Sequence, residues 1–86
     1  MATKQFAIQT RDKEYSTQWD EYSDIFDEQS EAKKDYNRQL YNAKDAWKKK
    51  IRRLVSFKVT DPSVPVRERP AKGCVILEVL EYHEDK

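Results

Sequence analysis

Apolar and polar residues alternate near the start of the chain. The alternation runs through Gln5, Phe6, Ala7, Ile8, Gln9 and Thr10. A period of two indicates a half-buried strand, because successive side chains of a strand point to opposite faces. The sequence therefore predicts a strand over residues 4–10.

The longest periodic segment lies in the middle of the chain. Apolar side chains recur there at intervals of three or four residues, at Ala32, Tyr36, Leu40, Ala43, Trp47, Ile51 and Leu54. Such intervals place side chains on one side of an α-helix. Asp27 can cap the first turn, because its short carboxylate accepts from free backbone N–H groups. With no glycine or proline to interrupt it, the pattern predicts one long helix over residues 27–53.

After this segment the period changes back to two. β-Branched and aromatic residues alternate with polar ones, which predicts a strand over residues 54–60. Residues 61–73 hold the three prolines and the only glycine, so they are predicted to form a loop. Residues 74–83 are apolar on both faces, which predicts a last strand in the interior of a sheet.

These elements predict an α+β fold. We expect a two-layer sandwich in β-α-β-β order, with one long helix packed on a small, mostly antiparallel sheet. The last two strands are predicted to form an antiparallel hairpin, and residues 1–86 a single domain. Residues 15–26 fit either a short helical segment or a brief second strand near residues 15–19.

Composition limits the classes of function. Hydrophobic residues make up 37% and charged residues 38% of the 86 residues, so the core must be small. Because Cys74 is the only cysteine, no internal disulfide is expected and the cytoplasm is the predicted compartment. No apolar run reaches the roughly 20 residues of a membrane-spanning helix, so no membrane association is expected.

The residues that could support catalysis are few. His83 is the only histidine and is predicted to be solvated, whereas Cys74 is predicted to pack as a small apolar residue. One histidine and one cysteine do not supply a zinc site, and one glycine does not make a phosphate-binding loop. We therefore expect no enzymatic activity, no catalytic residues, no metal and no cofactor.

Charge divides the chain although its net charge is only +1. The segment 12–31 is acidic and the segment 33–58 is basic. On the predicted helix the cations lie opposite the apolar stripe or on its flanks, as a ridge that can follow phosphates. The predicted nucleic-acid-binding residues are Lys34, Arg38, Tyr41, Lys44, Lys48, Lys49, Arg52 and Arg53, with Arg67, Arg69 and Lys72 as an extension.

RNA is the favoured ligand of this predicted ridge. The chain carries no helix-turn-helix or basic-zipper pattern for the major groove of duplex DNA. RNA is commonly recognised through shape, backbone contacts and stacking, and Tyr41 is the predicted stacking residue. The alternative is that the basic face is only solvated, since cations are favoured near the carboxyl end of any helix.

The acidic segment supports a second hypothesis, in which the protein binds another protein without nucleic acid. Aromatic anchors surrounded by charge are typical of interfaces, and here the residues are Trp19, Asp20, Glu21, Tyr22, Asp24 and Phe26. A basic host protein such as a nuclease or toxin is the expected partner, and an open sheet face is another surface for it. Alternatively, Trp19 and Phe26 complete the core beneath the helix. The chain length is compatible with a monomer or a homodimer.

Three features give the chain a resemblance to small early or accessory proteins of tailed bacteriophages. They are the opening strand Phe6-Ala7-Ile8-Gln9-Thr10, the acidic-aromatic link with Trp19, and the helix entry Asp27-Glu28-Gln29-Ser30-Glu31-Ala32. Such proteins often counter host defences by binding. The toxin-inhibiting factors of T-even-like phages resemble this chain in size and basic character, and that family is thought to restrain a host endoribonuclease toxin with bound RNA. The resemblance implies a counter-defence role in the host cytoplasm and assigns no individual residue.

Overall fold

The fold is one α-helix packed on a four-stranded antiparallel sheet. The computed structural model describes residues 4–14, 18–20, 23–43 and 49–84. The elements in chain order are β1 (Lys4–Asp12), β2 (Asp24–Phe26), α1 (Gln29–Asn42), β3 (Lys50–Val59) and β4 (Cys74–Glu84). This architecture confirms the predicted α+β class. A short strand does precede the helix, but it lies at Asp24–Phe26. Residues 18–19 of the predicted position are not in a strand, and residues 15–17 lie outside the described part of the chain.

The strand order in the sheet is β2-β1-β3-β4, and every neighbouring pair is antiparallel. The predicted hairpin of β3 and β4 is therefore confirmed. The prediction of an interior last strand is wrong, because β4 lies at an edge whereas β1 and β3 are inside. Two register shifts interrupt the pairing of β4 with β3.

The predicted helix over residues 27–53 is too long at both ends. It begins at Gln29, and the Asp27 carboxylate accepts a hydrogen bond from Gln5 at 2.9 Å instead of capping the helix. It ends at Asn42, and β3 has begun by Lys50. Residues 44–48 lie outside the described part of the chain.

One core cluster lies between α1 and the sheet. Ala32 and Tyr36 of the helix pack against the buried side chains of Phe6, Ile8 and Leu54. Phe26, Leu40 and Leu80 are partly buried at the margin of this cluster. The helix therefore covers one face of β1 and β3, and the prediction that Phe26 helps complete this core is confirmed.

A second cluster lies on the opposite face of the sheet. Ala7, Val55 and Phe57 are fully buried there, so the open sheet face considered from the sequence does not exist at the centre of the sheet. The segment between β3 and β4 folds back on this side. Its Arg69 donates to Gln5 of β1 at 3.5 Å, and its 3₁₀ turn (Val66–Glu68) contacts β2. Both faces of the sheet are thus partly covered.

Candidate functional site

The predicted basic residues of α1 lie among carboxylates. Arg38 forms an ion pair with Asp35 one turn away, although its own side chain is largely exposed. A cavity of about 270 Å³ beside the helix is lined by Phe26, Glu31, Lys34, Asp35 and Arg38. Two cations and two carboxylates share this cavity, so the charges there largely compensate each other. Tyr41, the predicted stacking residue, is 70% exposed.

The remaining predicted residues belong to the start of β3 and do not continue the helix. Lys49 is exposed just before β3, and Arg52 and Arg53 follow within it. Neighbouring strand residues point to opposite faces. Arg52 is on the helix side and Arg53 on the other side. The prediction that these cations share one face of a helix is therefore wrong, and Lys44 and Lys48 lie outside the described residues.

Strand pairing assembles a different group of cations at one end of the sheet. In the antiparallel register Thr10 lies opposite Arg52, Arg11 opposite Ile51 and Asp12 opposite Lys50. The Lys13 amide donates to the Lys49 carbonyl oxygen at 3.1 Å, which extends the pairing by one step. We call this group the basic sheet end, and its six members are Arg11, Lys13, Lys49, Lys50, Arg52 and Arg53.

Two members of the basic sheet end form ion pairs with nearby carboxylates. Lys50 Nζ lies 2.8 Å from Asp12 Oδ1, and Lys13 Nζ lies 3.8 Å from Glu84 Oε2. Two more carboxylates lie at this end: Glu14 follows Lys13 directly, and the Asp20 amide donates to the Thr10 carbonyl oxygen. Six cations therefore stand against four carboxylates, and the end of the sheet keeps an excess of positive charge. Arg11 and Lys13 were missed in the sequence because Arg11 borders the acidic segment and Lys13 lies within it, and only the register shows that they join β3.

Arg53 is at the centre of the helix-free side of this group. Its Nε donates to Gln9 Oε1 at 2.7 Å, and its guanidinium carbon is 4.3 Å from the centre of the Trp19 ring. The guanidinium carbon of Arg11 is 5.0 Å from the same ring. Tyr82 lies opposite Arg53 on β4. Trp19 thus packs against two arginines on the sheet face away from the helix, so the prediction that it completes the core beneath the helix is wrong.

The pKa values of Arg53 and Tyr82 in this cluster are shifted by burial and by neighbouring side chains. Burial, and second the positive charge of Arg11, lower the pKa of Arg53, while Tyr82 acts in the opposite sense. The Tyr82 hydroxyl donates to Glu84 Oε1 at 2.7 Å, and this bond raises the pKa of Tyr82. The guanidinium groups of Arg11 and Arg53 both contact the Trp19 ring, so their positive charges repel each other. An anion bound beside them would relieve this repulsion.

The proposed extension in the segment between β3 and β4 is only partly available. Arg69 holds the segment in place, since it donates to Gln5 and to the Pro62 carbonyl oxygen at 3.4 Å. Lys72 Nζ lies 3.7 Å from Glu68 Oε1 in an ion pair whose lysine is exposed. Arg67 is exposed.

The predicted acidic-aromatic surface is divided by the fold. Trp19 faces the arginines and Phe26 packs towards the helix, so these two aromatics lie on opposite sides of the sheet. Asp20 is exposed, and Asp24 accepts a hydrogen bond from Gln39 at 2.9 Å. Glu21 and Tyr22 lie outside the described residues.

Cys74 and His83 are placed at the two ends of β4. Cys74 is half-buried beside the cluster of Val55 and Phe57, and this burial raises the pKa of its thiol. Across the described residues, no group of three or more histidine, cysteine or acidic side chains could hold a metal ion. No helix in the same part of the chain is long and apolar enough to cross a membrane.

No known protein family, curated protein or solved structure matches this chain.

Proposed function

We propose that the protein binds nucleic acid without catalysis, and that the basic sheet end is its contact surface. The observation that carries this proposal is the β1–β3 register, which gathers six cations from two separate stretches of sequence. Cations that neutralise phosphates release condensed counterions, and this release supplies most of the affinity of such contacts.

RNA is the ligand that we favour over duplex DNA. Duplex readers commonly place a helix in the major groove. Here two of the three cations of α1 are paired, Lys33 with Glu81 and Arg38 with Asp35, so the helix offers little net positive charge to a groove. The basic sheet end instead offers cations on both sides of a strand, a surface better suited to a flexible backbone.

Fluorescence anisotropy with a short labelled single-stranded RNA, and with a duplex DNA of the same sequence, tests this proposal. The RNA is expected to bind more tightly. Between about 50 and about 200 mM salt, log affinity should fall linearly with log salt, with a slope of about −0.7 for each phosphate contacted. Absence of RNA binding at the lowest salt, or binding that salt does not weaken, would contradict the proposal.

We propose no catalysis because the two most reactive side chains, those of Cys74 and His83, are not placed to react together. The thiol of Cys74 is held towards its protonated form by burial, which makes it a poor nucleophile. His83 is exposed at the far end of the same strand. They are therefore too far apart to act as a nucleophile and its base.

The biological role that we propose follows the resemblance to phage counter-defence proteins. In the cytoplasm of an infected cell, the protein would restrain a host endoribonuclease toxin with the help of bound RNA. Co-expression with such a toxin tests this role. Growth should be restored by the wild-type protein and not by a variant whose basic sheet end is neutralised.

A basic protein partner is the second candidate, and β4 is the observation that favours it. Four of the six exposed large hydrophobic side chains in the described residues lie on this edge strand: Val75, Leu77, Val79 and Tyr82. β4 also carries Glu78, Glu81 and Glu84 and no lysine or arginine. Size-exclusion chromatography before and after nuclease treatment separates the candidates, because a protein complex would survive the nuclease.

A further inference from the structure

We propose that Trp19 is the stacking platform for an unpaired base, so that the ligand of the basic sheet end is single-stranded. This inference rests on the proposed nucleic-acid binding and adds a base-contacting residue to it. It also moves the stacking position from Tyr41 on the helix to the helix-free side of the sheet.

The position of Trp19 is fixed from two sides. The backbone N–H of Asp20 donates to the Thr10 carbonyl oxygen at 2.8 Å, which ties the segment to β1. The indole ring lies 5.0 Å from the Arg11 guanidinium carbon and 4.3 Å from that of Arg53. Arg11 and Arg53 project from the same sheet face, so the ring is held against a pair of cations.

Packing in the core does not account for this placement. Trp19 is only half-buried, and it belongs to neither of the two hydrophobic clusters formed by the described residues. A large aromatic side chain is thus held at the surface, where part of it remains accessible. Tyr82 is 52% exposed on the other side of Arg53 and adds a second aromatic surface.

The arrangement suits a nucleotide better than a simple anion. A base can stack on an accessible aromatic face, because every base presents a π-face. The guanidinium groups of Arg11 and Arg53 lie over the Trp19 ring, from where their N–H groups can also pair with the phosphates that flank a stacked base. Duplex bases are already stacked on each other, so only an unpaired base can use this platform.

Tryptophan fluorescence provides a direct test. The chain has two tryptophans, so Trp47→Phe leaves Trp19 as the only one. In this variant, a short single-stranded RNA should quench the emission in proportion to binding. Inorganic polyphosphate, a polyanion without bases, should bind with little quenching. RNA binding without quenching, or equal quenching by polyphosphate, would overturn the stacking role.

Affinity measurements give the second arm. Trp19→Leu should weaken RNA binding about tenfold, and Trp19→Phe should restore most of it. Polyphosphate affinity should be unchanged in both. Tyr41→Leu is the control, because it removes a more exposed aromatic on the helix and should change nothing. If Tyr41→Leu weakens RNA binding and Trp19→Leu does not, stacking occurs on the helix and the inference is wrong.

The two proposals fail in different ways. If no RNA binds to the wild-type protein, the proposed function and the stacking role fall together. If RNA binds with the expected salt dependence and Trp19→Leu binds equally well, only the stacking role falls. Circular dichroism of each variant shows that the loss of affinity does not come from unfolding.

Discussion

Arg53 has polar and aromatic contacts that no single stretch of sequence contains. Gln9 comes from β1, Trp19 from the link after it, and Tyr82 from β4. The positions of Gln9 and Tyr82 opposite Arg53 depend on the registers of two antiparallel pairs, and register is set by long-range pairing. This explains why the sequence alone predicted Arg53 to be one of the cations on the helix.

Tyr36 gives a prediction about pH at the residue scale. It is 2% exposed, and burial, with a smaller contribution from Glu81, raises the pKa of its phenol from 10.0 to about 12. The neutral phenol is therefore favoured in the folded state. Its stabilising effect is complete below about pH 10 and is lost as pH rises towards 12.

Comparison of the wild-type protein with Tyr36→Phe isolates this effect. Between about pH 9 and 12, the wild-type protein should lose about 2 to 3 kcal/mol of unfolding free energy relative to the variant. Urea denaturation at several pH values measures the difference, and the other titrating groups are common to both proteins. Parallel stability curves for the two proteins would show that Tyr36 ionises freely in the folded state.

At the scale of elements, strands with a clear alternation were predictable and the end of the helix was not. The strand over residues 4–10 is found as β1, and the strands at 54–60 and 74–83 lie within or overlap β3 and β4. The helix was extended in error because Ile51 and Leu54 continue its apolar spacing. Ile51 and Leu54 fit the helical spacing because β3 is buried on both faces. Apolar residues therefore do not alternate regularly with polar ones at the start of this strand, and the sequence signal for a strand is weak there.

The wrong end of the predicted helix also explains part of the error at the candidate site. Lys49, Arg52 and Arg53 were predicted as binding residues, but on the wrong element. Arg11 and Lys13 were not predicted, because their charge is hidden among acidic neighbours in the sequence. The position of β4 in the sheet was predicted wrongly for a different reason. Its side chains are apolar on both faces, which usually indicates an interior strand, but β4 lies at an edge.

The segment between β3 and β4 gives a prediction at the element scale. Gly73 has φ +65°, and its carbonyl oxygen accepts from the N–H groups of Thr60 and Asp61 at 2.8 and 2.9 Å. A Cβ at this position would lie 2.7 Å from Val64 Cγ2 and 3.0 Å from Asp61 Cβ. Both the backbone conformation and the close approach therefore favour glycine.

Gly73→Ala should destabilise the protein by about 1 to 3 kcal/mol. Lys72→Ala is the control at the neighbouring position, and it should change stability by less than about 0.5 kcal/mol because the Lys72 side chain is exposed and lies 3.7 Å from Glu68, at the long end of ion-pair distances. Urea denaturation of both variants measures these changes. A Gly73→Ala protein as stable as the wild type would contradict the account of this turn.

At the scale of the whole molecule, folding redistributes the charges that the sequence separates into blocks. Lys33 and Arg38 of the basic block pair with Glu81 and Asp35, so the helix is largely compensated. Within residues 4–14, 18–20, 23–43 and 49–84, an excess of positive charge lies at the end of the sheet. The near-zero net charge of the chain therefore conceals a basic surface, and that surface differs from the one a helical wheel predicts.

The most direct test of this central claim compares two matched double variants. Lys13→Gln with Lys49→Gln removes two exposed cations from the basic sheet end, and Lys34→Gln with Arg38→Gln removes two exposed cations from α1. Both lower the net charge equally. The first should weaken binding of single-stranded RNA about tenfold and reduce the salt slope by about 1.4, whereas the second should change affinity less than about twofold. A larger loss for the helix variant, or equal losses for both, would contradict the assignment of the binding surface.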